Sequence, residues 1–491
     1  MRVAIIGGGI GGLTTALLLS QKGINVTIYE KSDKLGGRLA FEGNDEFRID
    51  QGPTIVLLPD MITTILSEGG ISPFAYKLLK CDPLYKIHFS DGSTYTKYSD
   101  RLKQEKEIAK MFPEDVEGFN QFITDMKTRF QLGKIHFLEK PFLSFQEFWN
   151  YRTVMLLAKL KAYRSVYKEL STYFTNEKLR ISYALQTLYI GGNPFTTPAI
   201  YSLVSFSEHD HGIYYLQGGY ASLVAVLEEE LRKRKVNIYT SCHVEQIISS
   251  GNKAEYLMVN GRKEIYDSYI INGDFPVEQK RLLNRERSFT PSSACLLIYL
   301  GLSKTFESSS LHQFFIGDDF ARSMKEIFEE ETIPQSPSFY TFYPSAIDAT
   351  LAPLGKSVLY TLVPVPAGDH IDWDIEAPKL VNRIIEKMNH KGFLGIKAHI
   401  EWSKVRTPAD AMREGLYKGG SFGIAPTLFQ SGMYRPQVKP FHEKNIFAVG
   451  ASIHPGGGIP IVMQGAKLLV DYICDEMNEK IGKEVKSVDN Y

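Results

Sequence analysis

The chain has 491 residues, 43% hydrophobic and 23% charged. That is long enough for two or three domains with ordinary cores and too evenly mixed for a disordered or fibrous protein. Lys plus Arg and Asp plus Glu number 56 each, a formal net charge of zero, which argues against a protein built to neutralise a nucleic-acid backbone. Cys81, Cys242, Cys295 and Cys474 lack the close spacing of a zinc site or a disulfide scaffold and read as reduced intracellular thiols. No stretch reaches the ~20 apolar residues of a spanning helix. Arg2 and the apolar residues to Leu19 imitate a secretory leader, but the glycines from Gly7 to Gly12 would break its helix.

Val3-Ala4-Ile5-Ile6 is a short apolar run ending in glycine, the pattern of a strand buried on both faces. Gly7-Gly8-Gly9-Ile10-Gly11-Gly12 follows, then a helical stretch over 13–22 and a second strand over 25–29. Gly7, Gly9 and Gly12 take the three glycine places of G-x-G-x-x-G. They serve a tight turn, close approach of backbone to a pyrophosphate, and close packing of helix on strand. Phosphates are expected at Ile10 and the helix start, where free N–H groups and the dipole favour anions. Glu30, beside Lys31 and 18 residues past Gly12, is placed to bind ribose hydroxyls and to repel a 2′-phosphate. Strand, helix, second strand and acid together predict a dinucleotide-binding βαβ unit.

Farther on come Lys34-Leu35-Gly36-Gly37-Arg38 and Asp50-Gln51-Gly52-Pro53-Thr54. Gly36 and Gly37 let the backbone run close to a cofactor, and Arg38 offers a forked donor to a pyrophosphate. This Gly-Gly-Arg after a ribose acid resembles the FAD-binding proteins of the amine-oxidase superfamily. The resemblance implies FAD and brings Gly37, Arg38, Pro53 and Thr54 to the cofactor. Gln217-Gly218-Gly219-Tyr220 then leads into an amphipathic helix carrying Leu223, Leu227 and Leu231, and strand-like runs follow over 236–239 and 243–248. In the superfamily the backbone at Val244 would contact the adenine. Near the C-terminus a buried-strand pattern over 445–449 meets a second glycine-rich loop, Gly450 to Pro460, and a helix over 461–477. Gly450, Ala451, Gly458, Ile459 and Pro460 complete the expected cofactor set.

That loop, Val449-Gly450-Ala451-Ser452-Ile453-His454-Pro455-Gly456-Gly457-Gly458-Ile459-Pro460, resembles the signature of bacterial carotenoid desaturases of the phytoene desaturase type, nearest to the dehydrosqualene (diapophytoene) desaturases. Gln186-Thr187-Leu188-Tyr189-Ile190-Gly191, Arg406-Thr407-Pro408 and Tyr434-Arg435-Pro436 agree, so the similarity covers nearly the whole chain. The related terminal-methyl oxygenases carry Asn-Pro-Gly where His454-Pro455-Gly456 stands. Amine oxidases place an acid where this chain has Ala451.

The resemblance implies an α/β fold: a Rossmann-type FAD-binding domain of segments 1–60, 210–280 and 440–485, with an inserted α+β substrate-binding domain of 61–209 and 281–439. It implies a flavin-mediated dehydrogenation of a colourless linear carotenoid precursor by hydride loss to flavin N5, with no side-chain nucleophile and no metal. His454 and Tyr189 are expected near flavin or substrate; the proton acceptor, the substrate chain length and the oligomeric state stay open. Between 137 and 173 the chain is rich in aromatics, and 151–168 carries Arg152, Lys159, Lys161, Arg164 and Lys168 with no acid. A basic amphipathic helix there would rest on an anionic membrane surface, or form a solvated domain face. A lipid-soluble substrate favours the first, hence cytoplasmic, peripheral attachment to the inner face of the cell membrane. His209 and His211 flank Asp210 without further ligands at metal spacing and read as pocket or turn residues. The rival readings are a carotenoid oxygenase or isomerase on the same fold, and a prenyl-binding carrier resembling the Rab GDP-dissociation inhibitors.

Overall fold

The computed structural model describes residues 1–488. Its first layer is an all-parallel sheet with strand order Ile446–Ala448, Ser268–Ile271, Arg2–Ile6, Asn25–Tyr29 and Asn237–Tyr239. After exposed Arg2 the strand Arg2–Ile6 is apolar because it is buried on both sides: Val3 and Ile5 face one core, Ala4 and Ile6 another. On one face the helix Ile10–Gln21 packs against the C-terminal helix Ile459–Val488, through Leu13 and Leu17 and through Met463, Leu469 and Val470. The small sheet Val244–Ser250, Lys253–Val259 and Arg262–Glu264 covers the other. Both chain ends and a middle section thus build one body. The expected boundary at 60 cuts into the helix Pro59–Glu68, whose Ile62, Ile65 and Leu66 belong to this core, so the body runs on to about Ile71.

The second layer is a seven-stranded, mostly antiparallel sheet in the order Ile400–Arg406, Ala294–Leu302, Ser357–Val365, Phe339–Phe342, His312–Phe315, Tyr85–His88 and Thr94–Lys97. Along Ala294–Leu302 alternate side chains split between two cores. Leu296, Ile298 and Leu300 pack under the helix Trp373–His390 with Leu380 and Ile384, while Cys295, Leu297 and Tyr299 face the interior. Helices from 101 to 210 stand over that interior face and leave a cavity above the sheet. Among the described residues no helix is long and apolar enough to cross a membrane.

Candidate functional site

The βαβ turn opens the cavity. Gly7 holds φ +105°, and a Cβ there would come within 2.1 Å of the Asn272 carbonyl oxygen, so only glycine fits. Gly12 does not line the cavity; it packs the helix onto the turn, 2.3 Å from the Gly7 oxygen if it carried a Cβ. Gly9 and Ile10 stand at the helix start, which has no side-chain cap and leaves its first N–H groups for an anion. The Gly36 N–H donates to the Gly8 carbonyl at 2.8 Å, laying the two glycine segments side by side. Glu30 is buried, its carboxylate accepting the N–H of Gly8 at 2.7 Å and of Ser32 at 2.8 Å. Those bonds orient the carboxylate at the cavity wall, where its remaining lone pairs can take hydroxyl donors.

Every expected cofactor residue except Gly12 lines this one cavity: Gly7, Gly9, Ile10, Glu30, Lys31, Gly37, Arg38, Pro53, Thr54, Val244, Gly450, Ala451, Gly458, Ile459 and Pro460. Lys31 Nζ donates to the Glu414 carbonyl at 2.7 Å and Arg38 Nη1 to the Ser421 carbonyl at 2.6 Å, tying segment 414–421 over the groove. Protein crowds around Arg38 and costs it hydration, which pulls its pKa below the usual guanidinium range, with Asp274 partly offsetting this, while the side chain itself stays exposed along the groove. Such a cation is primed for an anionic ligand. Val244 has its carbonyl occupied by Arg281 Nη1, which closes that end of the groove.

Several residues that sequence reasoning passed over hold the site in shape. Asn272 Nδ2 donates to the carbonyls of Gly7 at 2.8 Å and Gly9 at 3.3 Å, buttressing the turn from the neighbouring strand. Asp274 accepts the Tyr417 N–H at 2.8 Å and the Ser452 hydroxyl at 2.6 Å, linking segment 414–421 to the C-terminal loop. Asp50 accepts the N–H groups of Tyr220 and Ala221, both at 2.8 Å, at the start of the helix Ser222–Lys233; burial raises its pKa to about 7. Their only sequence signal was an Asn-Gly-Asp and an Asp-Gln-Gly at strand ends, which spacing alone could not join.

At the C-terminal loop, His454 is buried, with Nε2 at 2.9 Å from the Lys140 carbonyl and its ring 4.8 Å from that of Phe142. Burial pushes its pKa down to about 4, so the imidazole is neutral near pH 7 and clamps segment 134–142 onto the loop. Arg435, 4% exposed, donates to the carbonyls of Ala451 at 2.5 Å and Gln430 at 3.2 Å. It has no ion-pair partner among the described residues, and its Nε is unbonded. A buried guanidinium with carbonyl partners only leaves uncompensated positive charge beside Gly456.

Beyond the glycine loops the cavity becomes apolar. Its floor is Leu297, Phe314, Tyr340, Tyr360 and Leu362 from the sheet, and Tyr189 stands opposite, its ring 6.1 Å from Phe314. The whole space is about 940 Å³, at the upper end for a small-molecule site. Tyr189 and His454 both line it. Phe137, Phe148, Trp149, Leu157 and Phe429 also wall it.

The expected single helix over 151–168 is two: Tyr151–Lys159 and Val166–Leu170. Leu160 turns inward and is buried, Lys161 takes φ +51°, and Ser165 caps the second helix. The acid absent from that run lies just beyond it. Buried Glu169 collects Lys161 at 3.0 Å, Arg164 at 3.2 Å and Arg129 at 2.8 Å, so Arg152, Lys159 and Lys168 are the cations left facing outward. His209 is a half-buried packing residue, 2.9 Å from the Tyr98 carbonyl and 3.0 Å from the Tyr183 hydroxyl. Its neighbour Glu208 is fully buried against Lys97 Nζ at 2.8 Å.

The residues present fit FAD. The glycine cradle that a Cβ would fill, the ribose-side carboxylate, the unpaired buried Arg435 and the helix starts at both loops offer donors for a dinucleotide, and the apolar arm offers room for a ring system and an apolar partner. Comparison with known proteins agrees. Residues 10–473 match the profile of the family described as flavin containing amine oxidoreductase. The chain is 53% identical over 483 residues to a 4,4′-diapolycopen-4-al dehydrogenase of Metabacillus indicus, covering 98% of each chain. It is 32% identical over 505 residues to a 4,4′-diapophytoene desaturase (4,4′-diaponeurosporene-forming) of Staphylococcus aureus, covering 98% of this chain and 100% of that one. A zeta-carotene-forming phytoene desaturase of Myxococcus xanthus is 31% identical over 482 residues, covering 96% and 93%. Among solved structures, a redesigned putrescine oxidase superposes with a TM-score of 0.68 at 13% identity, over 97% of this chain and 99% of that one. The cyclohexylamine oxidase of Brevibacterium oxydans gives 0.62 at 14%, with the same coverage. Two glycine loops closing on one cavity, the whole-length family match and the desaturase relatives converge: the chain belongs to the flavin containing amine oxidoreductase family, on its carotenoid desaturase branch, and is an FAD-dependent oxidoreductase.

Proposed function

We propose that this chain is a desaturase of a thirty-carbon linear carotenoid precursor, dehydrosqualene (4,4′-diapophytoene), turning it into a conjugated polyene. The observation that carries this is the continuity of the glycine-lined groove with an apolar arm inside one cavity. Bound FAD supplies the two-electron acceptor for hydride loss from a polyene carbon. The chain's own task is to align an apolar substrate on the floor of Leu297, Phe314, Tyr340 and Leu362 and to exclude water. Two of the named relatives act on thirty-carbon compounds by their names, which favours that length over forty. The test is expression in cells that make thirty-carbon or forty-carbon colourless precursors, followed by pigment analysis. Coloured polyene from the thirty-carbon strain alone is expected, and colour in neither strain overturns the reading.

A second reading, oxidation of a terminal aldehyde, is favoured by the name of the 53% identical relative. That reaction needs a water to add to the carbonyl carbon, and the apolar floor supplies few groups to hold one. Conversion of an added polyene aldehyde to the acid, without desaturation, would favour it.

We further propose peripheral attachment to an anionic membrane surface through the region 137–173. Trp149, Tyr151, Val154, Met155 and Tyr163 are exposed there beside Phe429, with Arg152, Lys159 and Lys168 around them. This apolar patch adjoins the cavity, and Trp149 and Phe429 take part in both. Juxtamembrane cations contribute ~1 kcal/mol each. The purified protein is expected to bind anionic liposomes at low salt and to leave them at high salt; indifference to them at low salt rejects attachment.

A further inference from the structure

Removal of two hydrogens from neighbouring carbons leaves a proton that some group must take, and the apolar arm holds few polar atoms. The strands His312–Phe315 and Phe339–Phe342 pair antiparallel, His312 opposite Phe342 and Phe314 opposite Tyr340. His312, Phe314, Tyr340 and Phe342 therefore share one face of the sheet, the one below the cavity. Tyr340 lines the cavity floor, and so does Thr54, the last residue of the Asp50-to-Thr54 segment. Their hydroxyls are 2.8 Å apart. Behind them lies His312, 0% exposed, with Nδ1 at 2.7 Å from the Tyr340 hydroxyl. Its Nε2 is 3.9 Å from the Cys81 sulfur, and its ring stacks on Phe342 at 5.3 Å.

The protonation states give this row a direction. Burial pushes His312 down to about 3 and the Cys81 thiol up to about 12, so imidazole and thiol are both neutral near pH 7. A phenol is the better donor and a bare imidazole nitrogen the better acceptor. The consistent arrangement is Thr54 O–H to the Tyr340 oxygen, Tyr340 O–H to Nδ1 of His312, and Nε2–H toward the Cys81 sulfur.

We infer that Tyr340, backed by His312, takes the proton of the dehydrogenation. Resting on the desaturase reading, the step balances as follows. One hydrogen leaves with its bonding pair to the bound oxidant, creating an allylic cation. The adjacent C–H pair becomes the new C=C bond, and its proton passes to the Tyr340 oxygen while the Tyr340 proton moves to His312 Nδ1. The positive charge thereby moves from the polyene to an imidazolium behind the cavity floor. Deprotonation of an allylic cation is strongly downhill, so a weakly basic imidazole suffices. Tyr340 meets the substrate; His312 acts through it. Both sit on paired strands, which holds the hydroxyl in place between turnovers.

The test has two parts. First, histidine-¹⁵N spectra of the FAD-loaded protein without substrate, with His312→Gln to assign the signal, read the tautomer. A neutral ring protonated on Nε2 at pH 7 is expected, and a ring protonated on Nδ1, which could only donate to Tyr340, overturns the inference. Second, anaerobic flavin reduction is followed with 4,4′-diapophytoene carrying deuterium at the carbon that loses the proton. Tyr340→Phe is expected to bind FAD as the wild type does, to reduce it at least tenfold more slowly, and to gain a primary isotope effect at that carbon. His312→Gln should move the same way. A Tyr340→Phe rate within twofold of wild type, or a slower rate with an unchanged isotope effect, overturns the inference alone. A wild type that this substrate does not reduce overturns the desaturase reading beneath it.

Discussion

At the residue scale, single atoms decide whether the cradle exists. A Gly7→Ala chain must drive a Cβ into the Asn272 carbonyl and hold a positive φ, so a loss on the order of 2 kcal/mol or more is expected. FAD retained on a desalting column should fall with it; undiminished retention and melting would mean the turn relaxes freely. Asp50 makes a different prediction. Its pKa is raised to about 7, above the ordinary carboxylate value of 3.8, because burial outweighs its two backbone bonds, and Asp348 adds repulsion. The folded chain therefore holds a proton that the unfolded chain releases, so this group's stabilising contribution is complete below about pH 4 and is lost as pH rises to about 7. Thermal melts at several pH values should show that fall in the wild type and a shallower one in Asp50→Asn; parallel profiles would remove Asp50 as the cause.

At the element scale, one buried ion pair joins the edge strand Thr94–Lys97 to the helix Leu203–Asp210. Lys97 and Glu208 are both fully buried, and Tyr85 donates to Glu208 at 2.7 Å. Removing one partner strands the other charge in the core, for which about 3–5 kcal/mol is the usual cost. Lys97→Met and Glu208→Gln should each lower the denaturation midpoint strongly, whereas Lys97→Met with Glu208→Leu should lose less than the sum. Additive losses would show that the two do not act as a pair. Elements also mark where sequence patterns stop being legible. The strands over 3–6 and 446–448 read directly from their apolar runs, because burial on both faces leaves no other pattern, and that over 25–29 from its place between the helix and Glu30. The helix over 151–168 did not, because its break depends on Leu160 finding a core and on Glu169 gathering distant Arg129.

At the scale of the whole molecule, both chain ends meet on one cavity, so FAD binding and folding are coupled. The Gly450-to-Pro460 loop, the N-terminal turn and segment 414–421 come together only in the folded chain. Ligand that binds the folded state alone stabilises it by about 2.7 kcal/mol at a hundredfold excess over Kd. Melting temperature should therefore rise steadily with added FAD in protein stripped of cofactor; a value independent of FAD would show that the cradle does not discriminate folded from unfolded chain.

The dinucleotide turn and the parallel strands were legible in residue order because each depends on neighbours in sequence: glycine spacing, an acid at a strand end, an apolar run; FAD and its chemistry came from the family resemblance those motifs carry. Tyr340, His312, Asn272 and Arg435 carry no such mark, since each acts on groups far away along the chain. His312 backs Tyr340 only because an antiparallel register puts it two pairs away on the same face, and Thr54 arrives from another segment, 286 residues before Tyr340. Local chemistry thus determined that the chain takes a dinucleotide, and long-range packing decided which side chains stand where its substrate lies, because burial and pairing of distant strands have no signature in local sequence.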